Sequence, residues 1–123
     1  MISKGRITME PISSVKLFEF FMETLGHCGT FLLDASMEDI EWHVFEEFDS
    51  ESITFLHEDS LERLLDLGYI SVEVCRLCRL LRMKFRSLEG TSLWNVEAVR
   101  TSREWYEILS LADEIKGMVR IKS

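Results

Sequence analysis

The stretch that decides the fold is DSLERLLDLGYISVEVCRLCRLLRMKFRSL, residues 59–88. Ile70, Val74, Leu77, Cys78, Leu81, Phe85 and Leu88 recur at steps of three and four, which places them on one side of an α-helix of about five turns that has to be buried. Val72, Leu80 and Met83 fall outside that stripe. The helix, about 71–88, is therefore expected to have apolar contacts on a second face and to stand at the centre of a bundle. Arg79, Arg82 and Arg86 fill the remaining sector. Before it, Asp59 or Ser60 is positioned to cap a shorter helix carrying Leu61, Leu64 and Leu65; Gly68 supplies the left-handed residue that ends that helix, and Ser71 caps the long one. The unit reads as a helical hairpin closed by local chemistry.

Toward the N-terminus, Leu17, Phe18, Phe21, Met22 and Leu25 form a helical stripe that starts at Ser13 or Ser14 and ends at Gly26,. Residues 1–10 mix Ile2, Ile7 and Met9 with Lys4 and Arg6 without a period and read as an extended or frayed arm,. Phe31, Leu32 and Leu33 fit either a small β element near 30–33 or a buried connection, and so short a run has no decisive period,. Ser36 with Asp39 gives a helix start, and Met37, Ile40, Val44 and Phe48 form the inner stripe that follows. Residues 49–58 fit a helical turn through Ile53 to Leu56, or a loop.

After the hairpin, residues 89–92 break the chain, residues 94–100 form a short helix, and Thr101 with Glu104 makes a capping box for a last helix,. Trp105, Ile108, Leu109, Ala112, Ile115 and Val119 share one face of that helix, while Arg120 and Lys122 suit its negative end. No repeat or linker interrupts the pattern, with one proline and six glycines in 123 residues. The expectation is a single all-α domain over 1–123, a bundle of five to seven helices.

A chain of this length with 46% hydrophobic residues can bury a core without disulfides or metal,. No apolar run approaches the roughly 18 residues of a membrane span, and the first ten residues lack a signal peptide's apolar centre. With three cysteines, an odd number, free thiols in a reducing cytoplasm are expected,. The formal charge of −8 argues against a nucleic-acid binder and for a basic partner,. Residues 34–66 hold twelve acids and a single base, Arg63, whereas residues 75–86 hold five bases and no acid. The molecule should be electrically polarised.

Cys75 and Cys78 form a CxxC, and His27 with Cys28 would bring the potential zinc ligands to four. A second paired knuckle is missing, however, and two thiols three apart on a helix point some 60° apart. Core or surface thiols are expected, with no metal and no cofactor, Cys75 being the more reactive because Arg79 and Arg82 lie beside it. His27, His43 and His57 stand at no catalytic spacing, and His43 reads as a solvated helix residue. Phosphate loops, HExxH and GxSxG are absent from the sequence,. No catalytic residue is proposed and the chain is not read as an enzyme.

The acidic helix starting at Ser36 is the candidate site. At about 100° per residue Trp42 faces outward between Glu38, Asp39 and Glu46. A plain reading is a solvated face with Trp42 packed under a loop. Yet ordinary soluble faces mix signs, and an aromatic anchor in a one-sign field is what tight interfaces use.

The runs LLDLGYIS (64–71), LWNVEAVR (93–100), Glu104-Trp105 and LADEI (111–115) resemble the small bacterial immunity proteins of contact-dependent growth inhibition and other polymorphic toxin systems. This resemblance implies a cytoplasmic protein that binds one cognate toxin domain, commonly a nuclease, and blocks its active site or its access to nucleic acid. Such families share no catalytic residues. The leading expectation is an inhibitor that presents Glu38, Asp39, Trp42, Glu46, Glu47, Asp49 and Glu51 to a basic toxin surface. The second is a helical regulatory or adaptor module, monomeric or homodimeric, that offers Arg79, Arg82 and Arg86 to an acidic partner.

Overall fold

The computed structural model describes residues 12–122, so the N-terminal arm expected at 1–10 lies outside the described residues. Ser13 accepts a hydrogen bond from the Lys16 amide and opens α1 (Ser14–Gly26). A 3₁₀ turn (Thr30–Asp34) follows, so the apolar run near Phe31 forms a tight turn and the described residues contain no strand. Here the β alternative fails. The turn is held from a distance, because Asp113 accepts both the Thr30 amide (3.2 Å) and the Thr30 hydroxyl.

Ser36 caps α2 (Met37–Ile40) through the Asp39 amide. The helix does not end there. It widens into a π-helix (Glu41–Phe48) and narrows again into α3 (Asp49–Phe55), so residues 37–55 run on as one rod where the sequence suggested a helix and then a turn or loop. Ile40, Val44 and Phe48 stay buried throughout, at steps of four.

α4 (Glu58–Asp66) is capped by His57, whose Nδ1 accepts the Asp59 amide at 3.1 Å. Neither Asp59 nor Ser60 takes that role, and the Ser60 hydroxyl instead donates to the Thr54 carbonyl. Gly68 has φ +84°, the left-handed conformation that glycine adopts without a Cβ clash,. Ser71 then caps α5 (Val72–Ser87) through the Val74 amide. Asn95 caps α6 (Val96–Thr101), two residues later than Trp94, which turns into the core. Ser102, not Thr101, caps α7 (Arg103–Lys122) by accepting the Trp105 amide. Thr101 is still helical and uses its hydroxyl on the Glu97 carbonyl, so the expected capping box does not form.

α5 packs on α7 and α4, and α1 joins α3, α4 and α7. The expected stripe, Ile70, Val74, Leu77, Cys78, Leu81, Phe85 and Leu88, is buried, and Cys75 is buried beside it. The second face of α5 is covered only in part: Leu80 packs against the core, while Val72 and Met83 are exposed. At the centre Phe45, Phe48, Phe85, Trp94 and Trp105 pack edge to face or tilted at 4.8–6.0 Å between ring centroids. Trp105 is fully buried and donates its indole N–H to the Leu93 carbonyl at 2.7 Å, so the largest core ring has no unsatisfied polar atom,. The fold is all-α, and among the described residues no helix is long and apolar enough to cross a membrane.

Candidate functional site

Trp42, placed by the sequence on the outer side of its helix, lies in the π-helix and is 46% exposed. Its covered edge rests on two imidazoles, His43 at 4.8 Å and His27 at 5.3 Å between ring centroids. Glu38, Asp39 and Glu46 are exposed around it, as is Glu41, which the sequence reading left out. Among the described residues none of these four carboxylates makes a salt bridge. Their negative charge is left for solvent or a partner.

The remaining acids of the expected set turn inward. Asp49 lies at the mouth of α3 and is held by Arg86, whose guanidinium reaches its carboxylate and its carbonyl, each at 2.7 Å, and the Ser52 hydroxyl at 3.1 Å. Glu51 is half-buried against α1, where the Thr24 hydroxyl donates to it at 3.2 Å. Burial pushes the Glu51 carboxyl above the usual carboxylate range; the Thr24 hydrogen bond opposes that shift, while Glu47 and Glu23 reinforce it. Glu47 itself is half-buried beside Glu51.

His43 is half-buried rather than solvated. Its Nδ1 stands 2.9 Å from Nδ1 of His27, so one ring donates and the other accepts. Phe31, also 46% exposed, meets the His43 ring edge-on at 5.2 Å, and the Lys116 ammonium lies 5.6 Å from the Phe31 centroid. Phe31 and Trp42 thus flank one imidazole and form a two-ring apolar patch beside the carboxylates. The sequence offered Phe31 only as a strand or core residue; the 3₁₀ turn is what sends it outward.

The basic stripe of α5 is spent inside the chain. Arg79 binds the Glu58 carboxylate through Nε at 2.9 Å and through a terminal nitrogen. Arg82 donates to the Leu56 carbonyl, and Arg86 holds Asp49. Cys28, Cys75 and Cys78 are free, buried thiols that belong to no three-ligand cluster among the described residues. Burial pushes Cys28 and Cys78 up to about 12 and raises Cys75 despite Arg79. The reactivity expected at Cys75 finds no support, because the thiol is buried and desolvation outweighs the neighbouring charge,.

Compared with known proteins, the chain matches no family model, no curated protein and no solved structure.

Proposed function

We propose that this chain is a non-enzymatic immunity protein that binds and neutralises a cognate toxin domain of basic surface, a nuclease by preference, in the bacterial cytoplasm. The observation that supports it is the half-exposed Trp42, joined by Phe31, within a field of unpaired carboxylates from Glu38, Asp39, Glu41 and Glu46. Carboxylates that lack a basic partner raise the rate of encounter with a cationic surface, and a rigid aromatic ring supplies buried area once contact is made. A nuclease surface built for phosphates is such a cationic target. Glu47, Asp49 and Glu51 act from behind this surface, shaping the rod that carries it.

The adaptor reading relied on a free arginine stripe. With Arg79, Arg82 and Arg86 engaged by Glu58, Leu56 and Asp49, little of that charge is left for an acidic partner, and the inhibitor reading is preferred.

The test begins with the genomic neighbourhood: a toxin C-terminal domain encoded immediately upstream is cloned with this chain and the pair is co-purified. Trp42→Ala is expected to weaken the complex by more than about 2 kcal/mol. If the variant neutralises the toxin with wild-type affinity, the anchor is elsewhere. Failure of the pair to associate at low salt would overturn the function itself.

A further inference from the structure

We propose that Glu23, His27 and Glu51 form a binding site for a divalent transition-metal ion of the zinc class. One ligand atom from each lies within 4.8 Å of the other two. Glu23 is on the last turns of α1, His27 immediately follows that helix, and Glu51 comes from α3, so the three converge from two elements that are distant in sequence.

The independent observation is the state of His27. Its side chain is nine-tenths buried, and its Nε2 is fully enclosed without a hydrogen-bond partner. A buried nitrogen in this condition is costly and calls for a reason. Nε2 points toward Glu51 Oε2 at 3.8 Å, too long for a hydrogen bond,. Two ligands on a tetrahedral zinc stand about 3.4 Å apart, so a small closure of this gap would seat an ion between them. Glu23 is exposed and free to swing in as the third ligand, leaving the solvent side for water.

The other ring nitrogen is arranged as a metal-binding histidine requires. Ligating imidazoles donate their second N–H to an acceptor that fixes the tautomer. Here His43 Nδ1 lies 2.9 Å from His27 Nδ1. With His27 donating, its Nε2 lone pair is turned toward the carboxylates. An imidazole with two carboxylates selects zinc and its neighbours over magnesium or calcium, which prefer oxygen alone. A bound ion would also relieve the mutual repulsion of Glu23, Glu47 and Glu51 and fasten the end of α1 to the rod under Trp42. The site lies beneath Trp42, but the proposal does not depend on toxin binding, and the cysteines take no part in it.

The experiment uses the whole chain, stripped with chelator and titrated calorimetrically with zinc chloride, then with Co²⁺ followed by absorption and by Trp42 fluorescence. One ion per chain is expected. Glu23→Gln and Glu51→Gln should each weaken binding by at least about tenfold, His27→Gln should abolish it, and Cys75→Ser should leave it unchanged. Co²⁺ should show ligand-field bands without sulfur-to-metal charge transfer, and should quench Trp42, whose ring is 5.3 Å from His27. Since Glu23 is exposed, Glu23→Gln keeps the test informative if the buried variants misfold. No zinc uptake by the wild type, uptake unaltered in Glu23→Gln, or a thiolate charge-transfer band would each overturn the site.

Discussion

At His27 the chain buries an imidazole among His43, Glu23, Glu47 and Glu51, and this has a consequence for stability. Burial and the His43 ring lower the His27 pKa below 6.5, against the opposing pull of Glu47 and Glu23. Just below pH 6.5 the unfolded chain therefore binds more protons at this position than the folded one. The stability that depends on neutral His27 is present above pH 6.5 and is lost as pH falls toward the folded-state value. Glu51 has the opposite sign, since its raised pKa favours the folded state as pH drops toward 4.5,. Thermal unfolding in the presence of chelator should thus show a larger drop from about pH 7.5 to about pH 5.5 for the wild type than for His27→Gln. Equal drops would mean that His27 titrates alike in both states. None of this was legible in the sequence. His27 and His43 meet only because the chain reverses through the 3₁₀ turn, and Glu51 comes from a segment that the sequence left between helix and loop.

On the scale of single elements, what could be read depended on how local the cause was. Ser13, Ser36 and Ser71 cap their helices because a hydroxyl before an apolar period reaches an amide three residues on,, and the left-handed Gly68 followed from the same reasoning. His57 escaped it because an imidazole is an uncommon cap. Ser102 displaced Thr101 because α6 continues one residue further than its pattern implied. The π-helix was invisible for a different reason: bonding from i to i+5 winds the chain more slowly than the 100° per residue used to place Trp42, while steps of four keep the same residues buried. The joint between α5 and the start of α3 is fastened by Arg86, whose guanidinium satisfies the Asp49 carboxylate, the Asp49 carbonyl and the Ser52 hydroxyl. Arg86→Ala is expected to cost about 2 kcal/mol, since hydrogen bonds to a charged group are the stronger kind and Asp49 is left partly buried without its partner. Urea denaturation measures this. A cost below about 0.5 kcal/mol, as for an ordinary exposed ion pair, would show that the fastening lies elsewhere.

For the whole molecule, the charge separation seen in the sequence survives in an altered form. Arg79, Arg82 and Arg86 of α5 pair with Glu58 and Asp49 at the partly exposed surface of the bundle, so that stripe is largely neutralised. Near Trp42, Glu38, Asp39, Glu41 and Glu46 are exposed and make no salt bridge among the described residues. If these carboxylates serve to steer a basic toxin, they should govern encounter more than residence. Replacing Glu38, Asp39 and Glu46 by Gln, Asn and Gln should slow association by about tenfold at low ionic strength, with a smaller effect on dissociation. The difference should shrink as salt shortens the Debye length to about 8 Å near physiological strength and further beyond it. Trp42→Ala should do the reverse, speeding dissociation with little change in salt dependence. Stopped-flow association and surface-plasmon dissociation at several salt concentrations separate the two. If the triple variant associates at the wild-type rate in low salt, the acidic field has no steering role, and its carboxylates serve only to keep this face of the helix in water.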